Sequence, residues 1–163
     1  MNYPDAKAPD SLAQGQEFER FARDMLLHRL GWVVDLYESR HFQWHEGESR
    51  QGFEFKEDRR CTDTGRLSIE VAEKTRASNS EWVPSGIWRR DNTILYVQGN
   101  ERIVFVFSKK VLQRWHDYQL RLDRLEMHEE RGTVRGFYLS LAKAEDLAEK
   151  TLRRIEAAKG EEG

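Results

Sequence analysis

Between residues 11 and 31 the apolar positions follow a helical period. Phe18, Phe21, Met25 and Leu30 recur every three to five residues, and Leu26 fills the stripe. This predicts a helix, with Ser11 as a cap and Gly31 where its C-terminus breaks. The pattern then turns extended. Residues 32–39 (WVVDLYES) read as a strand, and over 40–49 Phe42 and Trp44 alternate with polar residues before Gly47 turns the chain. Residues 52–60 (GFEFKEDRR) alternate strictly and predict a strand. CTDTG reads as a hairpin loop with Gly65 at a positive φ, and 66–74 answers as the second arm, with Leu67, Ile69 and Val71 on one face.

A polar loop with two tryptophans follows over 75–92. Residues 93–99 and 102–108 read as paired strands, the second apolar at nearly every position and therefore buried on both faces. The spacing predicts a helix over 109–130, a strand over 133–141 and a final helix over 142–158. The expected fold class is α+β, a central mixed sheet flanked by helices. Residues 1–10 read as a flexible arm, 11–158 as a single domain and 159–163 as a tail.

The chain has 163 residues, which suits one domain of about 100–200 residues. A net charge of −2 gives no global attraction to nucleic acid, so a polyanion would need a local basic patch. One cysteine excludes an intrachain disulfide and any CxxC zinc site. No apolar run approaches a membrane span of about 18–20 residues, and the N-terminus lacks the build of a signal peptide. The expectation is a cytoplasmic protein with no membrane partner.

The strand GFEFKED raises the chemical question. Phe53 and Phe55 share one face; Glu54, Lys56 and Asp58 share the other. One reading is a wet face of cross-strand ion pairs, completed by Glu70. The other is a metal site. Carboxylates suit a hard divalent cation, and a lysine beside them can steady phosphate charge or orient a water.

The stretch GQEFERFARDMLLHRLGW, the tripeptide EFK and the run EFKEDRRCTDTGRLSIE together resemble the PD-(D/E)xK nuclease superfamily. The likeness is to phage and bacterial members and to Holliday-junction resolvases, and it covers roughly residues 15–74. It implies a restriction-endonuclease-like fold and an Mg²⁺- or Mn²⁺-dependent deoxyribonuclease acting on DNA. In that likeness Glu19 is the helix acid, with Glu17 as the alternative, and Glu54 and Lys56 carry over directly. Glu48 stands where the family usually has Asp, and Asp58 and Glu70 fit the extension. Two registers remain open. Glu48 with Glu54 keeps a complete ExK, which favours it; Asp58 with Glu70 has the easier spacing but puts Ala72 at the lysine position. The resemblance makes Glu19, Glu48, Glu54 and Asp58 the candidate metal ligands and adds Lys56 and Glu70 to the catalytic set.

Candidate DNA contacts are Arg59 and Arg60 beyond the acidic strand, and Arg89, Arg90 and Trp88 in WVPSGIWRRDN. There, aromatic faces beside arginines suit base stacking and phosphate binding. The competing reading has the tryptophans covering the core. His41 and His45 flank Trp44 and are a weaker transition-metal pair; Cys61 is a weaker thiol nucleophile. The helix over 109–130 could provide a homodimer face. A non-cleaving nucleic-acid-binding protein of the same fold is the alternative function.

Overall fold

A computed structural model describes the backbone of residues 9–155 and the side chains from Gly15 onward. The first helix, α1 (Pro9–Leu30), begins ahead of Ser11, so Pro9 and Asp10 of the expected arm are helical. Residues 1–8 and the expected tail at 159–163 lie outside the described residues. The elements that follow are α2 (Arg40–His45), β1 (Phe53–Glu57), α3 (Cys61–Thr64), β2 (Arg66–Glu73), β3 (Val83–Pro84), a 3-10 turn (Gly86–Trp88), β4 (Leu95–Gly99) and β5 (Ile103–Ser108). After these come α4 (Lys109–Arg121), β6 (Met127–Glu130), β7 (Val134–Ser140), α5 (Leu141–Leu147) and β8 (Lys150–Arg153).

The α+β class with a mixed sheet flanked by helices is what the chain adopts. That sheet has the order β1-β4-β5-β8; β1 runs parallel to β4 and the other pairs are antiparallel. Beside it lies a second, antiparallel sheet of order β3-β2-β7-β6, which the single-sheet expectation did not contain.

Two cores hold these layers. Phe18, Ala22 and Leu26 of α1 pack with Phe53, Phe55, Val97, Val104 and Val106 on one face of the mixed sheet. Tyr96, Phe105 and Phe107 on its other face pack with Leu67, Ile69, Phe137 and Leu139 of the second sheet and Leu112 of α4. The predicted two-sided burial of β5 follows from this arrangement.

Several expectations change. Residues 32–39 form no strand; the segment makes one isolated bridge, Leu36 with Ser49. Residues 40–45 are helical, capped by the Ser39 hydroxyl. The helix expected over 109–130 ends at Arg121, and 127–130 pairs with β7 instead. The helix expected over 142–158 ends at Leu147, and 150–153 becomes the edge strand beside β5. In both places a short stretch rich in charged residues, with few buried positions such as Leu152, carries no strong period of its own, and the open edge of a neighbouring strand decides its form.

The expected hairpin is also altered. Residues 61–64 form one helical turn, closed by Gly65 at φ 72, a conformation that glycine reaches without a Cβ clash. The chain does reverse there, but β1 and β2 join different sheets. Close approach of β2 to β7 depends on Gly136: a Cβ there would lie 2.3 Å from the Ile69 carbonyl oxygen. Gly136→Ala should therefore destabilise the fold by about 1–3 kcal/mol, the usual range for overpacking, read as a lowered thermal midpoint.

Candidate functional site

β1 is an edge strand, so its outward N–H and C=O groups need partners other than a neighbouring strand. Residues 48 and 49 supply them. The Ser49 hydroxyl accepts from the Phe53 N–H at 2.7 Å and donates to the Phe53 carbonyl at 3.0 Å. Glu48 Oε2 accepts from the Phe55 N–H at 2.7 Å. Glu48 thus reaches Glu54 by a tight turn that folds back along the strand edge, with Gly52 N–H bonded to the Ser49 carbonyl. No second strand is needed to bring them together.

Phe53 and Phe55 face α1, which sends Glu54 and Lys56 to the opposite side. Their register neighbours on β4 are Tyr96 and Gln98, and beyond those on β5 lie Phe107 and Phe105. Toward the second sheet this face is therefore apolar at β5, polar at β4 and charged at β1. Glu54 is only 6% exposed, so the reading as a wet sheet face fails for this residue. Lys56 Nζ crosses to Glu70 Oε2 on β2 at 3.4 Å. Asp58 sits farther along, where its carboxylate accepts from the Ser68 N–H at 2.9 Å. Glu19 comes from α1 and stands near enough to Glu48 for the two carboxyls to act on each other electrostatically.

The electrostatics follow from crowding like charges in a shielded place. Burial pushes the Glu48 carboxyl up to about 8, opposed by the Phe55 N–H and reinforced by Glu54 and Glu19. Burial also raises Glu19 and Glu54. For Lys56, burial acts to lower the ammonium, but Glu70, Glu54 and Glu48 outweigh it and the net shift is upward. Lys56 is the cation these carboxylates share.

A second ion pair stands behind Glu54 and was not anticipated. Asp91 and Lys109 meet at 2.9 Å with both side chains nearly inaccessible. Asp91 is held below the usual carboxylate range because the Lys109 and Thr93 bonds outweigh its burial. Thr93 joins the two groups: its N–H donates to Asp91 at 3.0 Å and its hydroxyl to Glu54 at 3.4 Å. One signal was present in the sequence, a lysine directly after the apolar run of β5. Gln98 gave another, a polar residue inside an apolar strand.

Glu70 also lines a groove of about 850 Å³ with Asp58, Ser68 and Gln98. Arg59, Arg60, Arg66 and Arg131 line it too. Arg59 is paired with Glu57 at 3.1 Å, while Arg60 is exposed. The Arg66 guanidinium lies 3.8 Å over the Tyr138 ring. Arg66 and Arg131 escaped the sequence reading because they reach this groove only through the pairing of β2 with β7 and of β7 with β6.

The other anticipated residues are differently employed. Arg89 donates to the Gln43 and Trp44 carbonyls at 2.9 and 3.1 Å and approaches Asp91 at 3.6 Å, so it pins α2 to the body. Trp88 packs against the second core and donates to His116 Nδ1 at 3.2 Å. Arg90 is exposed in a separate groove with Lys110 and Lys150. Glu17 is exposed and lines a third groove, away from Glu48. Cys61 is buried and its thiol is pushed up to about 11, which leaves little thiolate at neutral pH. His41 and His45 lie ring to ring at 4.5 Å on α2.

The donors around Lys56 are all oxygen and carry more negative charge than one ammonium balances, which is the chemistry a hard divalent cation takes. Among the described residues no three Asp, Glu, His or Cys side chains converge on one point as they stand, so taking up an ion would need side-chain rotation. No helix among them is long and apolar enough to cross a membrane. Comparison with family models, with curated proteins and with solved structures finds no match.

A pH prediction follows from Glu48. Its folded value is raised, so between about pH 4.5 and 8 the folded state holds a proton that the unfolded chain has released, and stability falls as pH rises through that window. Glu54 and Glu19 act in the same direction. Thermal midpoints of the metal-free protein should drop from pH 5 to pH 8, and Glu48→Gln should flatten that slope. An unchanged slope in the variant would show that Glu48 is not buried as described.

Proposed function

We propose that the protein is a divalent-metal-dependent nuclease that hydrolyses DNA phosphodiester bonds, with a restriction-endonuclease-like arrangement of its site. The observation that carries this reading is the group of carboxylates around Lys56, Glu54 buried and Glu19, Glu48 and Glu70 half-buried, joined through Glu70 to a groove lined by arginines. The resemblance of residues 15–74 to PD-(D/E)xK nucleases supports it independently.

Glu19, Glu48 and Glu54 are the residues that would hold Mg²⁺ or Mn²⁺. When bound, the ion would neutralise phosphate charge and lower the pKa of an attacking water. Lys56 orients that water or steadies charge on the phosphate. Asp91 and Lys109 keep Glu54 in place through Thr93. Glu70 anchors the ammonium, and Asp58 braces the start of β2 through Ser68. Arg60, Arg66 and Arg131 grip backbone phosphates from the groove. Arg59 and Arg90 are further phosphate contacts; Arg89 and Trp88 are left out because both have internal partners.

One observation favours the alternative of a nucleic-acid-binding protein that does not cut. Lys56 already gives the cluster an internal counter-ion, so the fold could persist without a metal. Binding that survives in Glu54→Ala, with no cleavage ever seen in the parent, would establish that role.

The deciding experiment is cleavage of circular and linear DNA, with RNA alongside, in Mg²⁺ or Mn²⁺. Lys56→Ala and Glu54→Gln should each lose activity by roughly 100-fold or more while remaining folded. Cleavage that survives in both would refute the assignment. A second expectation concerns the groove. Arg66→Ala and Arg131→Ala should weaken DNA binding about threefold to tenfold and make its salt dependence shallower, with kcat nearly unchanged. Equal binding across salt would remove these residues from the DNA path.

A further inference from the structure

Gln98 is 4% exposed and lies opposite Lys56 in the β1–β4 register. Its Nε2 donates to the Ser68 carbonyl at 2.7 Å, a bond from one sheet to the other. That bond fixes the orientation of the amide, because a carbonyl accepts only from the nitrogen end. Oε1 therefore faces away from Ser68, and it is buried without a partner. Buried polar atoms are nearly always satisfied, so such an orphan needs a physical account.

The surroundings say what would satisfy it. Gln98 lines the groove together with Glu70 and Asp58. A phosphate or carboxylate offers only acceptors and would be repelled by all three. Lys56, its register neighbour, points its ammonium to Glu70 at 3.4 Å and makes no bond to Oε1. A hard cation accepts carboxylate and amide oxygens alike and completes its coordination with water.

We propose that Gln98 and Glu70 hold a hydrated divalent cation at the inner end of the groove, as a site of its own beside Glu19, Glu48 and Glu54. Such an ion competes with Lys56 for Glu70 and frees the ammonium to turn toward Glu54. That consequence for cutting rests on the nuclease reading; the binding itself does not.

The test is Mn²⁺ titration of metal-stripped protein, followed by electron paramagnetic resonance of the free ion and by calorimetry. The parent should show two classes of site. Gln98→Met should weaken one class about tenfold, while Glu54→Gln leaves that class intact. Gln98→Glu also loses the donor to Ser68 but keeps an oxygen ligand, and should hold the ion at least as well as the parent. Circular dichroism checks the fold of each variant; should Gln98→Met fail to fold, Glu70→Gln replaces it with the same expectation. The proposal is overturned if the parent takes up no Mn²⁺ or if Gln98→Met titrates like the parent. It is equally overturned if Gln98→Glu weakens binding as much as Gln98→Met, which would assign Gln98 to the Ser68 bond alone. One class lost in Glu54→Gln and untouched in Gln98→Met would remove this site and leave the nuclease reading standing.

Discussion

The ammonium of Lys56 stands among Glu48, Glu54 and Glu70, in a partly shielded seam between two sheets and a helix, with its side chain 34% exposed. Charges in such a place are costly unless each finds a partner. The surrounding structure can be understood as meeting that demand. Glu70 on the second sheet anchors Lys56 from across the seam. Phe55 donates its backbone N–H to Glu48, and Thr93 donates its hydroxyl to Glu54. Glu19 and Glu48 lower their repulsion by holding protons more tightly than free carboxylates do.

The elements that supply these groups are held by apolar packing that has nothing to do with the charges. α1 is fastened to Phe53 and Phe55 through Phe18, Ala22 and Leu26, with the Phe18 and Leu26 side chains each contributing roughly 1.5–3 kcal/mol when fully buried and the Ala22 methyl less. The second sheet is fastened through Leu67, Ile69 and Phe137. Rigid layers therefore set how closely the carboxylates approach, and the carboxylates adjust by taking up protons or sharing Lys56. A site built this way favours positive charge, although its side chains must rotate to surround an ion. That property suits phosphoryl chemistry, where the protein's part is largely positioning and electrostatics. The same layers direct the opening: Glu70 faces both the buried seam and the arginine-lined groove, so charge and access meet at one residue.

Where the expected elements failed, the local pattern was weak and a neighbour was strong. Residues 127–130 and 150–153 are charged or half-exposed apart from the buried Leu152, and neither has a period that selects helix over strand. Each lies beside a strand whose edge would otherwise be open, β7 in one case and β5 in the other. Residues 40–45 alternate in a way that mimics a strand, yet the Ser39 cap and the Arg89 bonds hold them helical. Trp88 and Arg89 looked like surface binders because WVPSGIWRRDN sets aromatic faces beside arginines. Their partners, His116 and the carbonyls of α2, come from segments far along the chain.

The sequence by itself determined the strongly periodic elements: the stripe of α1, the alternation of β1 and β2 and the two-sided burial of β5. Local sterics and hydrophobic period act within a few residues and need no partner to be read. It also placed Glu54 and Lys56 on one face, because a strand's period of two leaves no other choice. Only the tertiary structure decided that Glu54 on this face is buried, that β1 and β2 divide between two sheets, and that Glu48 arrives by a turn along the strand edge. It alone brought Asp91, Lys109, Gln98, Arg66 and Arg131 to the neighbourhood of the site. These depend on pairings between segments distant in sequence, and on the energy of charges whose surroundings exist only once the layers have closed.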